Sequence, residues 1–348
     1  MAEQIVKEIE GDGVVKGLRE VINLESYLIP HSQNRKNLNA LIEVVKAKEI
    51  VSFIGAGLSN PLGICDWAKL MEVLVSYAQK NLGFSGDLKD EPDKWPLLAE
   101  NIFKVFKEKN RLNEFFNIIS TRMEPQWNTT TLTLVKLVIA IGVHLTTNFD
   151  NSIENAYIFL AYLADRFKKP DMKKDFVPHY VPDFGDYHDR GEKGHVYYLH
   201  GNRNRNIYII RESDYQCFYP SVSGATNHNR ALEELLKYHY KNNTILFVGF
   251  SFQDDYVKRF FFKLALEIQN EIKATTEWYS QAGETYRSPE LKHFLIIDDS
   301  NREFRELGEK IYSTYQTSNI YPIVYQSGFH IFLEKLFEQL PGGLGERG

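Results

Sequence analysis

The chain has 348 residues, 43% hydrophobic and 25% charged, with a net charge of −5 and a pI of about 6.1. These proportions fit a soluble globular protein of one large or two modest domains and exclude wholesale disorder. The acidic balance argues against direct nucleic-acid binding along the chain. The short basic runs Asn202-Arg203-Asn204-Arg205 and Arg166-Phe167-Lys168-Lys169 read as solvated loops.

The first residues are polar and carry acids early, so no signal peptide is read there. Residues 1–34 have no strong period and read as an N-terminal arm with a helix or two, a candidate oligomer contact. Residues 37–47 place Leu38, Leu41, Ile42 and Val45 on one helical face. The apolar run 50–54 then reads as a buried strand, which breaks into Gly55-Ala56-Gly57-Leu58-Ser59 and leads to a helix over about 66–78. Strand, glycine turn and helix form the entry to a nucleotide-binding α/β unit, with backbone N–H groups expected to be free for phosphate oxygens. The turn lacks the third glycine of the dehydrogenase fingerprint, so by itself it is a weak signal.

A helical insertion is expected between the first two strands, over about 68–138, with helices at 97–116 and 129–137 and aromatic residues in its core. The run 132–145 is interrupted by Lys136 and too short to cross a bilayer. The second strand, 143–147, ends in Asn148-Phe149-Asp150, and a helix follows. The turn-rich stretch 176–194 holds a possible strand at 177–181. The third strand, 196–199, ends in His200-Gly201, with a short strand at 207–210 beyond it. Residues 215–228 read as loop and 230–240 as helix. The fourth strand, 244–248, ends in Gly249-Phe250-Ser251, and Asp254-Asp255 starts a helix. Strands at 293–297 and 320–325 and a last helix at 329–340 complete the fold, before a flexible tail at 341–348. The whole reads as α/β and Rossmann-like: a domain over 35–340 with about six parallel strands and helices on both faces. The small and polar strand tips all fall at the carboxyl edge, where ligands bind in such sheets.

Gly55-Ala56-Gly57-Leu58-Ser59, three residues, then Gly63-Ile64-Cys65-Asp66-Trp67 resembles the sirtuin signature Gly-Ala-Gly-Ile-Ser, three residues, Gly-Ile-Pro-Asp-Phe-Arg, at the same spacing. Thr147-Asn148-Phe149-Asp150 resembles the family's Gln-Asn-Ile-Asp, His200-Gly201 its His-Gly, and Gly249-Phe250-Ser251 its Gly-Thr-Ser. The departures are Cys65 for proline, Ala68 for arginine, and the zinc module: with only Cys65 and Cys217 there is no Cys-x-x-Cys pair, so no metal and no zinc are expected. The flanks of Asn148 and Ser251 look closer to the sirtuin-like, NAD-cleaving domains of bacterial antiphage systems.

The resemblance implies NAD as substrate, with His200 as catalytic base and Asn148 holding the attacking water or a ribose hydroxyl. Asp150 would accept from the carboxamide or ribose. Gly55, Ala56, Gly57 and Ser59 would lie at the diphosphate and Ser251 at a phosphate or the adenine ribose, with Asp66 and Gly249 completing the set. Cleavage of the nicotinamide–ribose bond needs no strong acid, because the leaving group is already cationic, but it suits a base titrating near neutrality. An NAD hydrolase serving antiphage defence is the leading expectation. An NAD-dependent protein deacylase and a non-catalytic NAD- or ADP-ribose-binding module stand as alternatives. Expected partners are a homo-oligomer and a separate sensor or activator, such as a hexameric translocase ATPase, in a cytoplasmic setting with no membrane contact.

Overall fold

Segments rich in Val, Ile, Leu and Phe assemble into a seven-stranded parallel sheet. The structure is a computed structural model, and it describes residues 24–47, 50–89, 91–126, 131–170, 173–185, 193–224, 229–282, 284–286, 291–326 and 328–338. The strands are β1 (Ile50–Ile54), β2 (Val143–Thr146), β3 (Phe176–Tyr180), β4 (Gly194–Tyr198), β7 (Thr244–Val248), β8 (His293–Asp298) and β9 (Ile320–Tyr325); β5 (Gly201–Asn202) and β6 (Ile207–Tyr208) form a small antiparallel pair apart. The order is β3-β4-β2-β1-β7-β8-β9. On one side of β1 lie β2, β4 and the edge strand β3, and on the other β7, β8 and β9, so the connections change direction between β1 and β7, and this switch point opens a crevice at the carboxyl edge. The strand beyond the expected six is β3, which begins one residue before 177–181. It tolerates Pro178 because it is an edge strand.

The strands alternate between two cores. Ile54, Leu246, Val248, Phe294 and Ile323 join one apolar cluster, while Val51, Phe53, Ile245, Phe247 and Leu295 join the other. On the first face lie α1 (Ser32–Ala47), α3 (Trp67–Leu82), α4 (Trp95–Glu108), α5 (Leu112–Arg122), α6 (Thr131–Ala140), α7 (Ser152–Arg166) and α14 (Phe329–Glu338); α2 is the single turn Ala56–Ser59. On the second lie α8 (Glu212–Phe218), α9 (Pro220–Ser223), α10 (Ala231–Asn242), α11 (Asp255–Gln281), α12 (Arg302–Leu307) and α13 (Lys310–Gln316). Phe53 shows how tightly the second core packs: its ring lies 5.1, 4.9 and 5.5 Å from those of Phe247, Phe250 and Phe261.

Two expectations are corrected. The helix expected over 97–116 is two helices, because Asn110 adopts φ 56° and the chain turns there, with Arg111 N–H donating to Phe106 O at 2.8 Å. Residues 215–228, read as loop, contain most of α8 and all of α9; 225–228 lie outside the described residues. Helix α8 starts because Asp214, in its first turn, accepts from the backbone N–H of Arg211 at 3.0 Å, and Pro220 opens α9.

Of the N-terminal arm, residues 1–23 lie outside the described residues, as does the tail 341–348. The described part covers the outer edge of β9. Leu28 bridges to Tyr325, and Ile29 N–H donates to Val324 O at 3.1 Å. Asn34 takes both backbone groups of Val324 at 2.8 Å, and Asn37 donates to Pro322 O at 2.6 Å. A strand edge that would otherwise present unpaired N–H and C=O groups is thereby satisfied. No helix among the described residues is long and apolar enough to cross a membrane.

Candidate functional site

At the switch point the glycine turn after β1 presses against the tip of β7. Gly55 N–H donates to Val248 O at 3.0 Å and Gly57 N–H to Gly249 O at 2.9 Å. A Cβ on Gly55 would lie 2.6 Å from Gly249 O, and one on Gly249, at φ 63°, would lie 2.3 Å from Leu58 N. The glycines are thus needed for contact between two backbone segments. The expectation that their N–H groups are free for phosphate is corrected: those of Gly55 and Gly57 are engaged within the protein. The amide of Ala56 has no acceptor among the described residues.

Beside this contact lies a cavity of about 330 Å³, within the range of small-ligand sites. Ala56, Gly57, Asp66, Gly249 and Ser251 line it together with Asn148, Asp150 and His200. Gly55 and Ser59, expected at the diphosphate, are not in the wall. Both instead hold Asn148: its Nδ2 donates to Gly55 O at 3.1 Å and to Ser59 Oγ at 3.0 Å. With both Nδ2 hydrogens used, Asn148 can offer a ligand only its Oδ1 acceptor.

Asp150, 3% exposed, accepts from Ser152 N–H at 2.9 Å through Oδ1 and so starts α7. Its Oδ2 is buried and makes no hydrogen bond of ordinary geometry. Burial raises the carboxyl above its usual range, and Ser152 and the nearby Ser59 hydroxyl temper the rise. Its backbone carbonyl accepts from the buried Asn202 at 3.4 Å.

His200, 3% exposed, sits just beyond β4 with Nε2 2.8 Å from Tyr219 Oη. Burial lowers its pKa to about 3, against a smaller upward pull from Asp214. The ring stands edge-on to Tyr215 and Tyr219, at centroid distances of 5.4 and 5.9 Å. Both tyrosines come from the α8–α9 segment that sequence reading left as loop. Tyr215 lines the cavity and donates to Asp254 Oδ2 at 2.7 Å, while Asp254 Oδ1 caps α11 by accepting from Val257 N–H at 3.1 Å. Asp254 keeps some exposure toward the cavity, but crowding still raises its carboxyl. The segment is tied to the helical insertion as well. Ser213 Oγ donates to Glu100 Oε2 at 2.6 Å, and Arg211 lies 4.2 Å from the Phe103 ring centre. The insertion therefore helps to place the residues that clamp His200.

Asp66 caps α3 by accepting from Lys69 N–H at 2.7 Å. The far end of the cavity, at the β8 and β9 tips, brings in Asp298, Asn301, Tyr325 and Phe329, none of them singled out from sequence. Four carboxylates (Asp66, Asp150, Asp254 and Asp298) line the cavity, and no Lys or Arg among the described residues does. The wall is suited to a cationic group and to hydroxyl donors; an anionic group would have to rely on backbone N–H and neutral donors. Among the described residues, no group of three or more His, Cys, Asp or Glu is placed to hold a metal ion.

Residues 142–315 match the SIR2-like domain family. That span includes Asn148, Asp150, His200, Gly249 and Ser251. The glycine turn lies before it and is joined to it by the contact with Gly249. The chain is also 25% identical over 224 residues to the NAD(+) hydrolase ThsA of Acinetobacter baumannii (strain 532279). The match covers 63% of this chain and 40% of that relative, so the chain spans well under half of the relative's length. With half of its length matched, a parallel α/β sheet and the site at its switch point, the chain belongs to the SIR2-like domain family.

Proposed function

We propose that the protein is an NAD hydrolase that cleaves the nicotinamide–ribose bond, releasing nicotinamide and ADP-ribose. The observation that carries this reading is the meeting of Asn148, Asp150 and His200 with Ala56, Gly249 and Ser251 around one cavity. Similarity to an NAD(+) hydrolase supports it.

The residues suit the chemistry. When the bond breaks, positive charge passes from the pyridinium to the ribose. The buried Asp150 carboxylate lines the cavity, and in its ionised form it would place negative charge beside that developing cation. Asn148 Oδ1 can accept from the attacking water or a ribose hydroxyl, in a geometry fixed by Gly55 and Ser59. His200 would contact the same water or hydroxyl from the adjacent strand. The Ala56 amide and the Ser251 hydroxyl are among the neutral donors that could meet a diphosphate, with the side-chain amides of Asn60, Gln253 and Asn301 also in the wall.

The proposal extends to a role as the NAD-depleting effector of a bacterial antiphage system, acting as an oligomer with a separate sensor or activator. That part rests on the resemblance to sirtuin-like defence domains.

The test is to incubate the full chain with NAD, with and without an acyl-lysine peptide, and to follow the products by chromatography. Equal amounts of nicotinamide and ADP-ribose without peptide are expected. Turnover only in the presence of peptide would mean a deacylase, and would contradict the proposal.

A further inference from the structure

Two hydrogen bonds cross between α8 and the first turn of α11. Tyr215, on α8, donates to Asp254 Oδ2 at 2.7 Å, and Tyr256, on α11, donates back to Glu212 Oε1 at 2.5 Å. Each side thus gives one phenol and one carboxylate. Between them the rings of Tyr215 and Tyr256 stack at 4.7 Å with an interplanar angle of 21°, a separation favourable for aromatic pairs. Both side chains are buried. Both phenols keep their protons and so act as donors, because burial first, and then the facing carboxylate, raises their pKa.

Helix α8 has seven residues, too few to hold a helical shape alone in water. Its place is therefore set by what it is tied to. Glu212 and Tyr215 lie three residues apart on one face, and both reach α11. The acceptor of Tyr215 is itself fixed, because the other oxygen of Asp254 caps α11. From this clasp the contacts run on to His200. Tyr215 lines the cavity, with its ring centre 5.4 Å from that of the imidazole. Tyr219, whose N–H donates to Tyr215 O at 2.8 Å, brings its hydroxyl to 2.8 Å from His200 Nε2. The imidazole rests on two side chains of a segment that α11 holds.

We infer that Tyr215, held by the crossed hydrogen bonds with Asp254, Tyr256 and Glu212, is a positioning residue that keeps the His200 ring directed at the cavity. The part His200 plays in the reaction is untouched; the clasp supplies its orientation. A reacting group displaced by about 1 Å can lose about 100-fold in rate, so a distant hydroxyl can matter without touching the substrate.

The experiment is the cleavage assay on Tyr215→Phe, which removes the hydroxyl and keeps the ring. A fall in kcat of about 10-fold is expected, with KM within about twofold of the native value. The same change in a His200→Ala background should cause no further loss, because the group it orients is gone. Tyr256→Phe opens only the outer half of the clasp and should lower kcat less. It takes the place of Tyr215→Phe, with the same outcomes, if circular dichroism shows that variant unfolded. An unchanged kcat, or an equal fractional loss in the native and His200→Ala backgrounds, overturns the inference.

The kinetic part rests on the NAD hydrolase reading; the orientation of the ring does not. If the native chain cleaves no NAD, that reading fails, and proton NMR decides the orientation. The His200 Cε1–H signal, identified by its loss in His200→Gln, is expected to shift and broaden in Tyr215→Phe. A signal that keeps its position and width overturns the inference.

Discussion

Replacing Asp150 by Asn separates what the residue does for the fold from what it does for chemistry. Its Oδ2 is buried without a hydrogen bond, while Oδ1 caps α7 by accepting from Ser152 N–H at 2.9 Å. An asparagine keeps the capping oxygen and removes the buried charge. An unsatisfied buried polar group costs about 1–3 kcal/mol and more when it is charged, and the amide removes only the part due to charge. Recovering about 1 kcal/mol of that would raise the melting temperature by roughly 2 °C at this chain length. Burial raises the folded-state carboxyl above its unfolded value. The destabilisation is therefore fully present above the folded pKa and fades as pH falls through it toward the unfolded value. The advantage of the variant should be largest near neutrality and close on acidification. Cleavage should move the other way, falling by about 100-fold or more, because the charge facing the developing cation is gone. Melting curves by circular dichroism at several pH values, with nicotinamide release measured in parallel, check both halves. A variant that melts lower yet still cleaves NAD, or a gap that widens on acidification, would refute the reasoning.

Other outcomes follow from the packing. Phe53→Ala removes the ring at the centre of the second core and should cost about 3–5 kcal/mol in urea unfolding. Gly249→Ala forces a Cβ to within 2.3 Å of Leu58 N at a positive φ, so calorimetry should detect no ADP-ribose binding even if the chain remains folded. Asn34→Ala strips the Val324 N–H of its acceptor and leaves Val324 O only the Ile29 N–H, and it should cost about 1–3 kcal/mol, measured by thermal melting, without altering KM for NAD. Ser59→Ala removes one of the two acceptors that orient Asn148. It should lower kcat more than it raises KM, and a change in KM alone would place Ser59 at the substrate after all.

The sheet and the strand tips were legible because buried parallel strands read as short apolar runs, and the tips break those runs with Gly, Asn, His and Ser. The order in which those tips meet was not legible. That Gly55 and Gly57 bind the β7 tip through their own amides depends on β1 and β7 being neighbours, 190 residues or so apart along the chain. Ser59 looked like a ligand residue because it stands in a glycine turn, but the turn rotates it inward beneath Asn148. Tyr215 and Tyr219 were missed because a seven-residue helix capped by Asp214 and a four-residue helix opened by Pro220 are too short to show a period. The Pro220 signal and the acid three residues after Arg211 were present, and could have marked two helix starts. Asp254 read as a helix cap, which it is; its second oxygen also holds Tyr215, a contact no local pattern encodes.

The central claim is that the crevice between the β1 and β7 tips cleaves NAD using groups from β2 and β4. The most direct measurement is the rate of nicotinamide release from NAD by the full chain beside Asn148→Ala, with ADP-ribose affinity measured on both. The account predicts release by the native chain, and a loss of about 100-fold or more in the variant with ADP-ribose still bound. Equal release from both proteins would contradict it, as would no release from a native chain that binds ADP-ribose.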